Sequence, residues 1–291
     1  MAPRLWLWNL DAELELASPG RTTPSSAIRE RIARLRPWLQ GFLAPGDEVL
    51  DDEDARGFDR YVGVAWCPTP HALRRLRKAG ALVPEVPSVE VLRAANHRRF
   101  CASLGQTLPG ARFVEDLDAL RAAVASSSVS GSWLLKRSLG FAGRGQLRVT
   151  AGPLPDEARR WAEASLRRGE GLQVEPLVER LADFALHGLL SPDGSLQVGY
   201  PTMQRCSPLG VWEGSVLAGS ELHEQEREAL YKELRSVGAA LHQLGYFGPF
   251  NVDAFAWRGK GGQRCFQPRC EINARYTMGW AVGMRVGLTV R

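Results

Sequence analysis

Three polar residues alternate with apolar ones near the C-terminal end of the 291-residue chain, namely Glu271, Asn273 and Arg275. A β-strand directs every second side chain to the same face, so this spacing places all three on one surface. Asp253 lies in an earlier segment that is also typical of a strand, and the turn Gly259-Lys-Gly-Gly262 separates the two segments. The sequence therefore predicts a strand pair that presents carboxylates from both strands.

Carboxylate and amide oxygens from Asp253, Glu271 and Asn273 form the kind of ligand set that Mg²⁺ prefers in proteins. A magnesium ion held there can bridge the phosphates of a nucleotide, and Arg275 beside it can neutralise charge on a transferring phosphoryl group. A solvated strand face is the alternative explanation. It fits less well, because these residues are embedded between Cys, Ile and an apolar partner strand.

A second motif begins with the apolar strand Ser132–Lys136, which is followed by a loop containing Gly140, Gly143 and Gly145. Glycines let backbone amides approach phosphate oxygens closely, and a lysine at the end of the strand can reach the same oxygens. The segment lacks the Gly-Lys-Ser/Thr of a P-loop, and a strand follows the glycines where a dinucleotide-binding turn requires a helix. An ordinary hairpin with a glycine-rich turn is an equally good explanation.

A third motif lies between Glu175 and Asp183, where one predicted strand ends and the next begins. An adenine ring needs an extended segment that offers a carbonyl and an amide under apolar cover. Pro176 has no N–H, so Val178 is the expected donor, and Glu179 or Asp183 can accept from the ribose hydroxyls. A plain connection between two strands explains this segment equally well.

Alternation of strands and helices predicts a small α/β domain over residues 1–90. The larger part, residues 91–291, is predicted to open with one helix from Val89 to about Leu104. A long amphipathic helix is predicted from Glu221 to Leu244, preceded by a loop over residues 207–220.

Composition argues against several classes of protein. Hydrophobic residues make up 44% and charged residues 24% of the chain, as in soluble globular proteins. No apolar run approaches the ~18 residues of a spanning helix, and the N-terminus is too acidic for a signal peptide, so we expect a cytoplasmic protein without membrane association. The net charge of +5 is interleaved with acidic residues, which favours solvated helix faces over a nucleic-acid surface. The five cysteines are scattered and are predicted to be reduced thiols.

The three motifs, in this order and spacing, resemble the ATP-grasp superfamily, whose metal-binding signature is close to the string Glu-Ile-Asn-x-Arg. The resemblance covers roughly residues 90–291. It implies an α/β (α+β) fold in which a pre-ATP-grasp α/β domain (1–90) precedes an ATP-grasp domain (91–291). Two α+β lobes would then clamp ATP between antiparallel sheets, with a mobile lid lobe at about 127–174.

The resemblance also implies roles for single residues. The implied magnesium ligands are Asp253, Glu271 and Asn273, and the implied basic residues of the reaction centre are Lys136, Arg205 and Arg275. Arg98 stands where many members have a phosphate-binding lysine, although a charge on a helix surface also explains it. The residues that the resemblance assigns to ATP binding are Arg98, Lys136, Ser138, Gly140, Phe141, Ala142, Gly143, Arg144, Glu175, Pro176, Leu177, Val178 and Asp183.

The implied activity is an ATP- and Mg²⁺-dependent ligation. A carboxylate is a poor electrophile, so transfer of the γ-phosphoryl group first converts it to an acylphosphate, which an amine then attacks with release of phosphate. The expected partners are small-molecule or peptide carboxylates and amines, contacted by the first domain and by residues 207–220, including Trp212 and Glu213. Homodimers are common in this family, but no apolar stripe here requires one. A kinase-like phosphotransferase and a non-catalytic ATP- or peptide-binding protein stay open as alternatives, with nucleic-acid binding third.

Overall fold

The computed structural model describes residues 2–18, 26–51, 56–105, 108–126, 128–140, 145–206 and 212–284. These residues form three β-sheets, of three, four and six strands. Within the described residues, no helix is both long and apolar enough to cross a membrane. The division of the chain into domains at residue 90 stays a prediction.

The first sheet is parallel, with the strand order β2 (Glu48–Val49), β1 (Arg4–Leu7) and β3 (Val62–Ala65). Leu5 and Leu7 of β1 pack in one cluster with Leu76, on the helix that follows β3. Trp6 points to the opposite face and meets Phe42 edge to face. The alternation in β1 therefore buries both faces of this small sheet. The helices of this region are α1 (Ala12–Ala17), α2 (Ser26–Leu39), a short 3₁₀ helix (Gln40–Phe42) and α3 (Pro70–Lys78).

Two helices, α4 (Val89–Asn96) and α5 (Arg98–Ser103), take the place of the single helix that the sequence predicts. That prediction was wrong because the backbone is extended at His97 (φ −80°, ψ 134°), whose ring nitrogen Nδ1 accepts a hydrogen bond from the amide of Arg99 at 3.1 Å. A side chain that bonds to the backbone in this way starts a new helix. The break makes Arg98 the first residue of α5, where it is only 8% exposed.

The second sheet is antiparallel, with the order β4 (Arg112–Val114), β7 (Leu172–Pro176), β5 (Ser132–Arg137) and β6 (Gln146–Thr150). Helices α6 (Leu117–Ala125) and α7 (Asp156–Leu166) cover one face, where Trp133, Leu135 and Val174 are buried with them. Strand alternation therefore sends Lys136 and Glu175 to the other face.

The third sheet is also antiparallel, with the order β11 (Trp212–Leu217), β10 (Thr202–Cys206), β8 (Arg180–Leu190), β12 (Gly248–Arg258) and β13 (Arg264–Asn273). Strand β9 (Leu196–Val198) pairs with β8, and α9 (Trp280–Gly283) follows β13. Helix α8 (Glu224–Gln243) covers one face, where Val252 and Ala254 pack in the same cluster as Leu234. The sequence predicts a loop over residues 207–220, and this was wrong for Trp212–Leu217, which form strand β11. Residues 207–211 lie outside the described part of the chain.

Arg98 connects the uncovered faces of the two antiparallel sheets. Its Nε donates to the backbone carbonyl of Arg137 on β5 at 3.1 Å, and its Nη2 donates to Glu271 Oε1 on β13 at 3.0 Å. Polar side chains from both sheets consequently meet in one cleft beside the start of α5.

Candidate functional site

Asp253 and Glu271 are directly opposite each other on β12 and β13, and Asn251 is opposite Asn273. The paired strands place these four side chains on the face that α8 leaves uncovered, because the intervening Val252 and Ile272 pack in the core cluster. The strand pair that the sequence predicts is present, with both carboxylates on one surface.

Side-chain amides surround the Asp253 carboxylate. Its Oδ1 accepts from Asn251 Nδ2 at 2.7 Å and from Gln204 Nε2 at 2.9 Å, and its Oδ2 accepts from Asn273 Nδ2 at 3.0 Å. Burial and the negative charge of Glu271 nevertheless raise the pKa of Asp253 to about 7. Two carboxylates held together in this way favour a cation between them.

The pKa of Glu271 shifts in the opposite direction to that of Asp253. Burial acts to raise the pKa of Glu271, but the positive charges of Arg98 and Lys136 outweigh it and hold that pKa below its usual range. The Arg98 side chain is 9% exposed and that of Glu271 33%. Arg98 is therefore buried beside Glu271 and is not a charge on a helix surface, and its role in ATP binding stays a prediction.

Lys136 and Glu175 form an ion pair across β5 and β7, and each of their side chains is only 4% exposed. The lysine thus has a counter-ion within its own sheet, while its charge also reaches Glu271 on the facing sheet. Glu175, which the sequence assigns to the adenine segment, points into the cleft beside Lys136, the lysine that the resemblance assigns to phosphate binding.

Arg275 is held by a residue of the first sheet region that the sequence analysis missed. It forms an ion pair with Glu13 of α1, and its Nη2 donates to Asn273 Oδ1 at 3.1 Å. Burial acts to lower the pKa of Arg275, but the negative charge of Glu13 outweighs it and raises that pKa. A glutamate at a buried position of an otherwise apolar helix face was the available signal, since Ala12 and Leu16 beside it are buried too.

The oxygens of the strand pair fit a hard divalent cation. Asn251 Oδ1 is buried and has no hydrogen-bond partner among the described residues, and it lies next to the carboxylates of Asp253 and Glu271. No group of three or more His, Cys, Asp or Glu side chains in the described ranges could hold a metal. The donor set is thus two carboxylates with amides, which suits Mg²⁺ better than zinc.

The predicted adenine segment adjoins an apolar cluster. The amide of Leu177 donates to the carbonyl of Ser132 at 3.0 Å, and Val178 packs against the cluster of Leu108, Phe255 and Trp257. A further residue absent from the sequence prediction, Arg180, lies 4.1 Å from the centre of the Phe255 ring.

The same arginine also engages the predicted ribose contact. Arg180 Nη1 donates to Asp183 Oδ1 at 2.7 Å, so that the Asp183 carboxylate has an ionic partner within its own strand.

Similarity to known proteins is found at the level of structure. No protein-family model matches the sequence, and no curated protein is significantly similar to it. Biotin carboxylase from Campylobacter jejuni, solved as a β-γ-ATP complex, has a TM-score of 0.56 and 15% identity over 76% of this chain and 50% of that chain. D-Alanyl-alanine synthetase A from Vibrio cholerae has a TM-score of 0.56 and 13% identity, over 100% of this chain and 96% of that chain. This chain has the ATP-grasp fold.

A third structure with the ATP-grasp fold is the biotin carboxylase domain of 2-oxoglutarate carboxylase from Hydrogenobacter thermophilus, a dimer solved with MgADP, ADP and bicarbonate. Its TM-score is 0.54 at 12% identity, over 100% of this chain and 71% of that chain. The chain spans half the length of the Campylobacter biotin carboxylase. The fold that the sequence resemblance implies is therefore confirmed.

Some residues that the ATP-grasp resemblance assigned to the site are not brought into it. Arg205 is exposed. The preceding residue, Gln204, bonds to Asp253, so the side chain of Arg205 points away from Asp253, on the other face of β10. The residue of β10 that reaches Asp253 is Gln204, and the role that the resemblance gives Arg205 stays a prediction. The Ser138 hydroxyl donates to the carbonyl of Glu170 at 2.5 Å and is buried there, so only its backbone can serve a phosphate.

The glycine loop is described only at its two ends. Gly140 and Gly145 flank it, and the amide of Arg137 donates to the carbonyl of Gly145 at 2.8 Å, which closes the hairpin. The predicted ATP-binding residues Phe141, Ala142, Gly143 and Arg144 lie outside the described residues.

Proposed function

We propose that this protein is an ATP- and Mg²⁺-dependent ligase that activates a carboxylate as an acylphosphate for attack by an amine. The observation that carries the proposal is the cleft in which Asp253 and Glu271 face each other on one sheet while Arg98 reaches both sheets. Carboxylates beside buried cations are what a magnesium–triphosphate group requires.

Asp253 and Glu271 would hold magnesium, with an amide oxygen from Asn251 or Asn273 completing the protein ligands. When bound, the ion would neutralise phosphate charge and orient the γ-phosphoryl group. The MgADP in the Hydrogenobacter relative supports this assignment. Asn273 Oδ1 accepts from Arg275 in the present arrangement, so its use as a ligand requires that contact to be exchanged.

Lys136 and Arg98 would bind the phosphates and offset their charge. Both side chains are less than one-tenth exposed, which strengthens their attraction for an anion because little water screens them. Arg275 would neutralise charge on the phosphoryl group as it moves to the acceptor carboxylate. No side-chain nucleophile is required, because the acylphosphate is the reactive intermediate.

The base would lie against the segment 175–178, with apolar cover from the cluster around Phe255. Asp183 would accept from the ribose once its bond to Arg180 is released or shared. The nucleotide in the Campylobacter biotin carboxylase supports a nucleotide in this cleft, whereas the carboxylate and amine substrates are left to experiment.

The test is a screen for ADP release with amino acids, peptides and small carboxylates, in which each active mixture is analysed by mass spectrometry. We expect a condensed product and inorganic phosphate; a stable phosphorylated acceptor would indicate a phosphotransferase instead. Glu271→Gln should abolish ADP release, whereas the exposed helix residue Glu228 can be changed to Gln without effect. Full activity of Glu271→Gln would refute the site.

A further inference from the structure

A continuous chain of side-chain contacts runs from α1 to the proposed metal ligands. Glu13 is 4% exposed and is paired with Arg275, which lies 262 positions later in the chain. Arg275 Nη2 donates to Asn273 Oδ1 at 3.1 Å, and Asn273 Nδ2 donates to Asp253 Oδ2 at 3.0 Å. A carboxylate outside the cleft thereby determines where Arg275, which contacts the proposed ligand Asn273, lies.

Glu13 is not the sole carboxylate that attracts this arginine. Burial acts to raise the pKa of both Asp253 and Glu271, and the positive charge of Arg275 acts in the opposite direction on each. The guanidinium is therefore attracted both by Glu13 and by the carboxylates of the strand pair. Its contacts with Glu13 and with the backbone carbonyl of Tyr276, 2.9 Å from Nη1, keep it on the Glu13 side.

We propose that Glu13 is a positioning residue that sets the Mg²⁺ affinity of the site by keeping Arg275 away from the carboxylates of Asp253 and Glu271. The inference rests on the proposed function, since it assumes that those carboxylates bind magnesium. Glu13 of the first sheet region would thereby affect cation binding without contacting the cation itself.

Arginine and magnesium compete for the same ligands in this site. A guanidinium and a magnesium ion use the same carboxylate oxygens. Arg98 already pairs with Glu271 Oε1, so a second arginine paired with the remaining oxygens of Asp253 and Glu271 must be displaced before the ion can bind. A buried arginine that loses its counter-ion seeks another, because an uncompensated buried charge is costly. If Glu13 becomes neutral, Asp253 and Glu271 are carboxylates whose charge still attracts Arg275.

The experiment uses the full chain and a fluorescent ADP analogue. Nucleotide affinity is measured in EDTA, and then Mg²⁺ is titrated at a fixed nucleotide concentration, for the unmodified protein, Glu13→Gln, Glu13→Asp and the control Glu15→Gln. Glu15 lies on the same helix and accepts from the amide of His71 at 2.9 Å, so its substitution removes the same charge without touching Arg275.

For Glu13→Gln we expect the Mg²⁺ concentration at half-saturation to rise about tenfold, as is typical when a group supporting a metal ligand is lost. Nucleotide binding in EDTA should stay within about twofold, and both Glu13→Asp, which keeps the charge, and Glu15→Gln should remain within about threefold of the unmodified protein. Equal losses of affinity in EDTA and in Mg²⁺ would indicate a merely structural role and would overturn the inference.

The two proposals fail in different ways. If the unmodified protein binds nucleotide with a clear Mg²⁺ dependence and Glu13→Gln leaves that dependence unchanged, the inference about Glu13 is wrong and the proposed function stands. If the unmodified protein shows no Mg²⁺-dependent nucleotide binding, the proposed function is wrong and the inference falls with it.

Discussion

Arg98 Nη2 lies 3.0 Å from Glu271 Oε1, although the two residues are 173 positions apart in the chain. The contact joins the first residue of α5 to the last strand of the six-stranded sheet. It places a cation that is almost fully buried directly beside a proposed magnesium ligand. Anything that binds between the two sheets consequently meets both charges.

Arg98→Gln should weaken nucleotide binding at least tenfold, because a hydrogen bond to a charged group contributes about 1.5–3 kcal/mol. Titration with a fluorescent nucleotide in the presence of Mg²⁺ measures the change. Arg99→Gln is the matched control, since the adjacent Arg99 is 51% exposed and pairs with Glu115 at the surface. Equal affinities for the two variants would show that Arg98 does not serve the phosphates.

Lys136→Met should lower the free energy of unfolding by about 3–5 kcal/mol, because it removes the ion-pair partner of the buried Glu175. A second substitution in the same chain, Glu175→Leu, should restore most of that stability while nucleotide binding stays lost. Urea unfolding and nucleotide titration on both variants separate the two effects. Recovery of nucleotide binding in the double variant would remove Lys136 from the phosphate site.

His187 should make the protein less stable in acid. It is fully buried on β8, and burial lowers its pKa from 6.5 to about 3. Between these two pH values the unfolded chain binds a proton that the folded protein does not, so this contribution to stability is complete above pH 6.5 and is lost as the pH falls towards 3.

The measurement is the free energy of unfolding in urea from pH 4 to pH 7.5, compared with His187→Gln. The difference between the two proteins should shrink as the pH falls, because glutamine does not titrate. A difference that is constant over this range would contradict the assignment.

Gly283→Ala should destabilise the protein by about 1–3 kcal/mol, in the range of other overpacked positions. A Cβ atom at Gly283 would lie 2.4 Å from His187 Nδ1, and His187 has no room to move because it is completely buried. Gly214→Ala is the control, since nothing lies within 4 Å of the added atom there. The unfolding temperatures of both variants are measured. A Gly283→Ala protein that unfolds at the same temperature as Gly214→Ala would contradict the prediction.

Much of the proposed metal site was predictable, because its residues are close together in the sequence of two neighbouring strands. The period-two spacing of Glu271 and Asn273 requires them to share a face, and the structure also places Asp253 on that face. The same period-two spacing could have predicted that Asn251 shares this face, since it lies two positions before Asp253. Gln204 was not, because only the sheet order β10-β8-β12 brings it to Asp253.

The alternation of side chains along single strands, the glycine turn between β12 and β13 and the resemblance to ATP-grasp proteins were determined by the sequence itself. The tertiary structure alone decided that His97 interrupts a helix and that Arg98 turns inward, and it alone paired Lys136 with Glu175 and Arg275 with Glu13. The reason is physical: a local pattern determines which face a side chain occupies, but the partner of a buried charge depends on which distant surfaces pack together to exclude water.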